Sequence, residues 1–222
     1  LNFFGTTTVP EFGMALASEP INGPPARHPF DEKLSPAGSS GGAAAAIAAG
    51  IVSIAHATDA GGSIRVPAAT CGLIGLKPSR GAMPAGPHFG NYLAGIASEF
   101  ALCRSIRDAK TLFPLVAGNT KSFLPDVSFR SDIKPSKLRI GVVAGDLPRY
   151  PVTDERQQVI DDAARFLQTQ GHTIHTIDAG TLAPLVDASA TAFDRIISAN
   201  LASAVDAFSI DEAKLERLTQ AV

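Results

Sequence analysis

The sequence GSSGG at residues 38–42 runs directly into an alanine-rich stretch from Ala43 to Ala49, which is followed by Gly50. Alanine is the strongest helix former, and a glycine just after such a run is typical of a helix C-terminus. We therefore predict a short buried helix here. Because it lacks large side chains, it can pack closely against its neighbours, and its N-terminus faces the glycine-serine loop.

A second glycine-rich loop follows a short apolar segment. Residues 52–55 (VSIA) predict a buried strand, which leads to TDAGGSIR at residues 58–65 and places Ser63 24 residues after Ser39. A serine hydroxyl is a weak nucleophile until a neighbouring group removes its proton, and loop N–H groups can stabilise a developing oxyanion. The second loop can therefore supply nucleophile and oxyanion donors, and Ser39 can relay the proton.

The regions around these loops are predicted from local composition. Residues 3–9 and 73–76 are expected to form strands. Residues 18–38 contain five prolines and should form a long irregular loop; because it leads into Ser39, we expect it to be a wall of the active site. A capping-box-like start at Ser105 predicts a helix to about Ala117, which Pro114 should kink or end.

The C-terminal half reads as one β–α–β unit followed by helix. Residues 138–143 and 172–177 predict strands, with a helix between them from an N-cap at Thr153 to about Gln170. This order implies parallel pairing with a right-handed crossover. Residues 118–137 are expected to be a connector, and the chain beyond Thr181 is expected to be helical to its end.

Several motifs in fixed order resemble the amidase signature family. They are SPAGSSGGA at residues 35–43, TDAGGSIRVPAA at 58–69 and CGLIGLKP at 71–78, with weaker similarity at 9–13 and 104–109. The resemblance implies an α/β fold with a mixed, largely parallel central sheet flanked by helices. It also implies one partial domain over residues 1–222, with a signature core at about 35–80 and a β–α–β and helical extension at about 138–222.

The resemblance also implies a mechanism. The family hydrolyses amides with a serine nucleophile, a second serine that follows a cis peptide bond, and a lysine base. Ser63 resembles the nucleophile and Ser39 the relay serine, so the Gly38–Ser39 peptide is expected to be cis. The N–H groups that resemble the oxyanion hole are those of Ala60, Gly61, Gly62 and Ser63, and the supporting residues are Ser40, Asp59 and Arg65.

Asp59 and Arg65 flank the second loop and allow two interpretations. They either brace the loop through charge-assisted hydrogen bonds or form an ordinary, partly buried ion pair. Sequence alone leaves both open.

The lysine of the family lies well upstream of its first serine loop, and no lysine of this sequence takes that role. Lys33 is the only lysine before Ser39 and belongs to a charged run, DEK at residues 31–33, expected to be a solvated turn. Lys77 stands in a segment that resembles a structural part of the family. We therefore expect the chain to be an internal portion of a longer enzyme, without the lysine segment and the C-terminal part, and to be inactive alone.

Other serine and phosphate chemistries fit the sequence less well. His56, Asp59 and Ser63 could be read as a catalytic triad, but neither serine stands in a G-x-S-x-G elbow, and His56 is interpreted as a strand histidine with its own partner. A P-loop requires Gly-Lys-Ser/Thr after its glycines, and this sequence has no such motif there. His172 and His175 should face opposite sides of a strand and make a poor metal pair.

Composition and charge limit the classes of binding partner that we expect. A formal net charge of −2 and scattered basic residues give no case for nucleic acid, and no apolar run reaches the ~18 residues of a membrane span. Cys71 and Cys103 make neither a metal motif nor a disulfide framework, and Cys71 should be buried. We expect a cytoplasmic protein without metal or cofactor that acts on a small-molecule amide, and a homodimer stays open.

Three functions remain. The first is hydrolysis of a small carboxamide, aryl amide or cyclic amide. The second is a catalytically incomplete fragment or non-catalytic scaffold. The third is one component of a transfer-RNA-dependent amidotransferase of the same family, disfavoured because Val66 stands where that branch usually has Gln and because residues 79–82 (SRGA) depart from its usual segment.

Overall fold

The computed structural model describes residues 5–84, 92–118, 136–145, 147 and 150–222. The chain divides into two compact units, one formed by residues 1–129 with 196–222 and the other by residues 130–195. Both serine loops lie in the first unit, so that unit holds the candidate site.

The first unit is built from short elements around three strands. In chain order they are a 3-10 turn (Glu11–Gly13), α1 (Gly41–Ala48), β1 (Ile54–Asp59), α2 (Arg65–Thr70), β2 (Ile74–Gly75), a second 3-10 turn (Tyr92–Gly95), β3 (Ser98–Cys103) and α3 (Ile106–Val116). Its C-terminal part contains a 3-10 turn (Glu212–Lys214) and α6 (Arg217–Gln220).

The strands form a sheet in the order β1-β3-β2, with β3 in the centre. Both neighbours run antiparallel to β3, with Asp59 opposite Ser98 and both Ile54 and Ile74 opposite Cys103. β3 is almost completely buried. The end of β1, where the second serine loop begins, therefore lies beside the buried central strand β3.

The alanine helix α1 packs into the core beside this sheet. Ile47 of α1, Ile64 of the second loop and Leu102 of β3 are fully buried in one apolar cluster, to which α3 also contributes. α1 ends as predicted: Gly50 has a φ of +79°, and the N–H groups of Gly50 and Ile51 bond to carbonyls of the last turn. The small side chains of α1 thus bring its backbone close to the segments that surround the first loop.

The second unit contains the predicted β–α–β order. β4 (Arg139–Ala144) and β5 (Thr173–Asp178) pair in parallel, with Arg139 opposite Thr173, and α4 (Asp154–Thr169) connects them. α5 (Ala179–Ala207) begins directly after β5. The parallel pairing is confirmed, and the right-handed crossover stays a prediction.

The mixed α/β class is confirmed, but several boundaries differ from the predictions. The largely parallel arrangement does not extend to the three-stranded sheet, because β1 and β2 both pair with β3, a buried strand that the sequence analysis did not predict. β1 begins at Ile54 rather than at residue 52 and extends to Asp59. α3 ends at Val116, which agrees with the predicted end at about Ala117, so Pro114 does not end the helix.

Three further predictions are wrong or fall outside the described residues. Residues 5–9 form no strand, because the Thr8 carbonyl accepts a hydrogen bond from the N–H of Gly42 (3.2 Å) instead of joining a sheet; residues 3 and 4 are not described. The C-terminus is not helical throughout, since α5 ends at Ala207 and Ser209 takes a left-handed φ of +50°. Most of the expected connector at 118–137 lies outside the described residues.

Candidate active site

The second serine loop is a tight strand-to-helix connection. β1 ends at Asp59 and α2 begins at Arg65, and Ser63 lies between them with 8% of its surface exposed. Gly62, just before Ser63, has a φ of +130°, a backbone conformation that other residues adopt only with strain. A Cβ added there would also lie 2.9 Å from Cγ2 of Val66. The turn that presents Ser63 therefore requires glycine at residue 62.

The Asp59 carboxylate holds this loop from within. It is fully buried, and it accepts hydrogen bonds from the N–H groups of Gly62 (2.9 Å), Ile64 (3.2 Å) and Arg65 (3.2 Å). The Arg65 guanidinium adds two more, from Nε to Oδ2 (2.9 Å) and from Nη2 to Oδ1 (2.8 Å). One carboxylate thus binds backbone groups on both sides of Ser63, and this pattern favours the loop brace over an ordinary ion pair.

The brace is charged at neutral pH. Burial is the largest influence on Asp59 and would raise its pKa, but the Arg65 side-chain hydrogen bonds, the two backbone N–H groups and the Arg65 charge together hold that pKa below its ordinary value. The hydrogen bonds between the Arg65 side chain and Asp59 raise the pKa of Arg65. Both groups stay ionised, so the loop is held by charge-assisted bonds, which are stronger than neutral ones.

The four predicted oxyanion donors differ in their availability. The Gly62 N–H is occupied by Asp59. Within the described part of the chain, the N–H groups of Gly61 and Ser63 have no hydrogen-bond partner. The site therefore offers free donors on either side of Gly62 rather than at Gly62 itself.

The first serine loop lies directly against the second. The Gly38–Ser39 peptide is cis, as predicted, and Ser39 and Ser40 are each 5% exposed. The N–H of Ser40 donates to the Ser63 carbonyl (3.3 Å). The Ser40 hydroxyl lies 3.4 Å from the Thr58 nitrogen and 3.5 Å from the Thr58 carbonyl, at the end of β1. Ser40 is thus the link that joins the two predicted serine sites.

Sequence reasoning missed a third buried serine at this loop. Ser18 is fully buried; its hydroxyl donates to the Ser39 carbonyl (3.0 Å) and accepts from the Gly41 N–H (2.9 Å). Ser18 lies in the irregular proline-rich segment that we expected to form a wall of the site. No local pattern marks it, because its partners lie 21 and 23 residues further along the chain.

The glycines of the first loop allow backbone segments to approach closely. A Cβ on Gly38 would lie 2.8 Å from the Ala17 nitrogen, and a Cβ on Gly41 would lie 2.5 Å from the Ser18 hydroxyl. A Cβ on Gly42 would lie 2.5 Å from the Thr8 nitrogen. Contact with neighbouring segments is thus what requires glycine here, whereas a left-handed backbone is what requires it at Gly62.

The other candidate bases lie apart from these hydrogen bonds. As predicted, Lys33 is exposed in a turn. Its backbone N–H donates to the Asp31 carboxylate (3.0 Å). The Lys77 ammonium donates to the Pro78 carbonyl (2.7 Å). His56 is a strand histidine whose ring contacts Glu99 across the sheet. In the described residues none of the three is bonded to a serine loop.

The remaining chemically active groups have structural environments. Cys71 and Cys103 are buried free thiols, and burial raises the pKa of both. Over the described ranges, no three His, Cys, Asp or Glu side chains come together in a group that could hold a metal ion. Within the same ranges, no helix has the length and apolar character needed to span a bilayer.

The similarity to known proteins extends over most of this chain. The model of the amidase family matches residues 1–221. The chain belongs to the amidase family. The resemblance to the amidase signature family is thereby confirmed. AmiC of Mycobacterium tuberculosis, whose name assigns it provisionally as an amidase, is 36% identical over 175 residues, covering 78% of this chain and 37% of AmiC.

Two further relatives carry different names within the amidase family. A solved structure of 6-aminohexanoate cyclic dimer hydrolase superposes with a TM-score of 0.82 at 30% identity, covering 96% of this chain and 47% of that protein. A glutamyl-tRNA(Gln) amidotransferase component from a Nitratiruptor species is 36% identical over 183 residues, covering 77% of this chain and 39% of that protein. The chain spans less than half the length of each of these relatives.

Proposed function

We propose that the full-length protein hydrolyses the amide bond of a small carboxamide, aryl amide or cyclic amide, with Ser63 as nucleophile and Ser39 as proton relay. The hydrogen bond from the Ser40 N–H to the Ser63 carbonyl carries this proposal, because it fixes the two serine loops side by side. Membership of the amidase family and similarity to a cyclic dimer hydrolase support the reaction and the substrate class.

The first half of the proposed reaction forms an acyl-enzyme. The Ser63 oxygen attacks the amide carbonyl while its proton passes to Ser39 and from there to the base. The resulting oxyanion is stabilised by the N–H groups of Gly61 and Ser63, with that of Ala60 as a further donor, and the Gly62 N–H stays with Asp59. Protonation of the amide nitrogen by the same relay releases the amine and leaves the acyl group on Ser63.

The second half is hydrolysis of that ester. A water molecule gives its proton to the relay, adds to the acyl carbonyl, and expels Ser63 as the oxyanion collapses. The carboxylic acid leaves, and the proton returns to Ser63. The base is proposed to be a lysine outside residues 1–222, because Lys33 is exposed in a surface turn and Lys77 is bonded to Pro78.

We further propose a cytoplasmic enzyme that uses neither a cofactor nor nucleic acid, either as a monomer or as a homodimer. The buried free thiols of Cys71 and Cys103 fit a reducing compartment. The formal net charge of −2 provides no attraction for a polyanion.

A component of a transfer-RNA-dependent amidotransferase is the second candidate, since the identity of that relative to this chain equals that of AmiC. Val66, where that branch usually has Gln, favours the hydrolase. A hydrolase should turn over amides without a partner protein or transfer RNA, whereas an amidotransferase component should depend on them.

The test is hydrolysis of a p-nitroanilide, a primary carboxamide and a cyclic amide by the full-length protein alone. We expect turnover of at least one, with Ser63→Ala lowering kcat by several powers of ten and Ser39→Ala by nearly as much. Ser53→Ala is the matched control, because Ser53 is exposed and lies before β1. Undiminished turnover by Ser63→Ala would overturn the assignment, and absence of turnover by the wild type without a partner would favour the second candidate.

A further inference from the structure

We infer that Ser18 is a positioning residue whose buried hydroxyl holds the first serine loop in its reactive geometry. The inference rests on the proposed function, since it concerns the loop that carries the relay serine. Among the described residues, the Ser18 hydroxyl hydrogen-bonds to two backbone groups of that loop: it donates to the Ser39 carbonyl (3.0 Å) and accepts from the Gly41 N–H (2.9 Å). It does not itself take part in proton transfer.

The two bonds hold both sides of Ser40. The Ser39 carbonyl precedes the Ser40 nitrogen, and the Gly41 N–H follows the Ser40 carbonyl, so the Ser18 hydroxyl fixes both peptide groups that flank Ser40. The N–H of Ser40, between them, donates to the Ser63 carbonyl (3.3 Å). A shift of the Ser39–Gly41 backbone would therefore move the relay hydroxyl and weaken the link to the nucleophile loop together.

The position of Ser18 is itself fixed by backbone contacts. Its carbonyl accepts a hydrogen bond from the Ala26 N–H (2.8 Å). The preceding residue, Ala17, lies so close to Gly38 that a Cβ on Gly38 would be 2.8 Å from its nitrogen. The segment around Ser18 therefore approaches the backbone of the serine loop closely at Gly38, and Ser18 itself is fully buried.

Loss of this hydroxyl should affect turnover more than substrate binding. A buried hydroxyl that both donates and accepts leaves two unsatisfied backbone groups when it is removed, and the loop relaxes to satisfy them. Because a displacement of about 1 Å in a catalytic group can cost up to about 10²-fold in rate, we expect kcat to fall about 10- to 100-fold. The KM should change little, because Ser18 is fully buried and its hydroxyl is bonded to the loop backbone.

The experiment measures kcat, KM and the urea midpoint for Ser18→Ala, Ser18→Cys and Ser18→Thr in the full-length protein. Cysteine keeps the approximate volume but is a weak hydrogen-bonding group, and threonine keeps the hydroxyl. Ser105→Ala is the matched control: the Ser105 hydroxyl also accepts from one backbone N–H (3.2 Å) and donates one bond (2.8 Å), but at the start of α3. We expect Ala and Cys to lower kcat about 10- to 100-fold at nearly constant KM, Thr to recover most of it, and Ser105→Ala to keep wild-type kcat.

A kcat for Ser18→Cys within about twofold of the wild type would overturn the inference, since it would show that only the volume at residue 18 matters. A fall in kcat for Ser105→Ala equal to that for Ser18→Ala would also overturn it, because the effect would then follow general destabilisation. If the wild type is active and Ser63→Ala is inactive, either of these two results refutes the role of Ser18 and leaves the proposed function standing. If the wild type hydrolyses no amide, it is the proposed function that fails.

Discussion

The two serine loops are held in opposite ways. The loop at residues 59–65 is held by its own residues, since the Asp59 carboxylate binds three N–H groups and the Arg65 guanidinium, all within six residues of it. The loop at residues 38–42 is held by distant segments, through Ser18 and the Thr8 carbonyl. Ser63, the proposed nucleophile, thus stands in a loop held by its own residues, whereas Ser39, the proposed relay serine, depends on residues that precede it by 20 positions or more.

This difference indicates where each loop is vulnerable. The second loop depends most on its single buried carboxylate, because loss of that group would release several N–H groups at once. The first loop depends instead on contacts with other segments, and one added methyl group can disturb it wherever a neighbouring backbone approaches its glycines. Substitutions that act on one loop and leave the other intact can therefore separate the two modes of support.

The largest effect is expected at Asp59. Asp59→Ala leaves the Gly62, Ile64 and Arg65 N–H groups without an acceptor and the Arg65 charge without its partner. Removal of one member of a buried charged pair typically costs 3–5 kcal/mol; because the Arg65 side chain is 52% exposed, we expect about 3 kcal/mol in the free energy of unfolding. Urea unfolding monitored by circular dichroism measures this loss of stability.

The control for Asp59 is Asp162, which pairs with Arg165 on the surface of α4. Both side chains of that pair are largely exposed, so Asp162→Ala should change the free energy of unfolding by no more than about 0.5 kcal/mol. A similar loss for the two variants would mean that the brace contributes no more than an ordinary surface ion pair.

A smaller effect is expected from Gly42→Ala in the first loop. Alanine is favoured over glycine in a helix by about 1 kcal/mol, which predicts stabilisation at this position in α1. The new Cβ, however, would lie 2.5 Å from the nitrogen and 2.6 Å from the carbonyl oxygen of Thr8, and overpacking against backbone costs about 1–3 kcal/mol. The steric cost should outweigh the gain in helix propensity, giving a net loss of up to about 2 kcal/mol in the free energy of unfolding and a lower kcat.

Gly23→Ala is the matched control, because its Cβ would meet only Pro20 at an ordinary 3.7 Å. It should leave both the urea midpoint and kcat close to their wild-type values. Stabilisation by Gly42→Ala would show that the Thr8 segment moves aside, and the tight packing assigned to the first loop would then be wrong.

The smallest effect is the acid response of the brace. The pKa of Asp59 is lower in the folded protein than in the unfolded chain, so its contribution to stability is complete above the ordinary carboxyl range near pH 4 and is lost as pH falls through the lowered value. The loss should be smaller than for Asp59→Ala, because a protonated carboxyl keeps its shape and part of its hydrogen bonding.

Urea unfolding of the wild type and Asp59→Asn between pH 7 and pH 3 measures this response. The difference in free energy of unfolding between the two should be constant down to about pH 4 and shrink below it. The corresponding difference for Asp162→Asn should stay small throughout. A difference for Asp59→Asn that grows on acidification would contradict a lowered pKa.

The contrast between the loops also explains what the sequence could predict. Asp59, Arg65 and Ser63 stand within seven consecutive residues, so a local motif contains them all, although only the structure shows that the carboxylate binds the loop N–H groups. Ser18 and Thr8 are ordinary residues in an irregular stretch, and their roles arise from close approach in three dimensions. The strand β3 was missed for a related reason: its pairing with β1 and β2 joins segments that are far apart in the chain.

We propose that the acyl group forms on Ser63 and not on Ser39. The most direct measurement is reaction of the full-length protein with a fluorophosphonate probe, followed by peptide mass mapping of the adduct. We expect a single adduct on Ser63, formed at least tenfold more slowly in Ser39→Ala but on the same residue, and absent from Ser63→Ala. An adduct on Ser39, or undiminished labelling of Ser63→Ala, would contradict it.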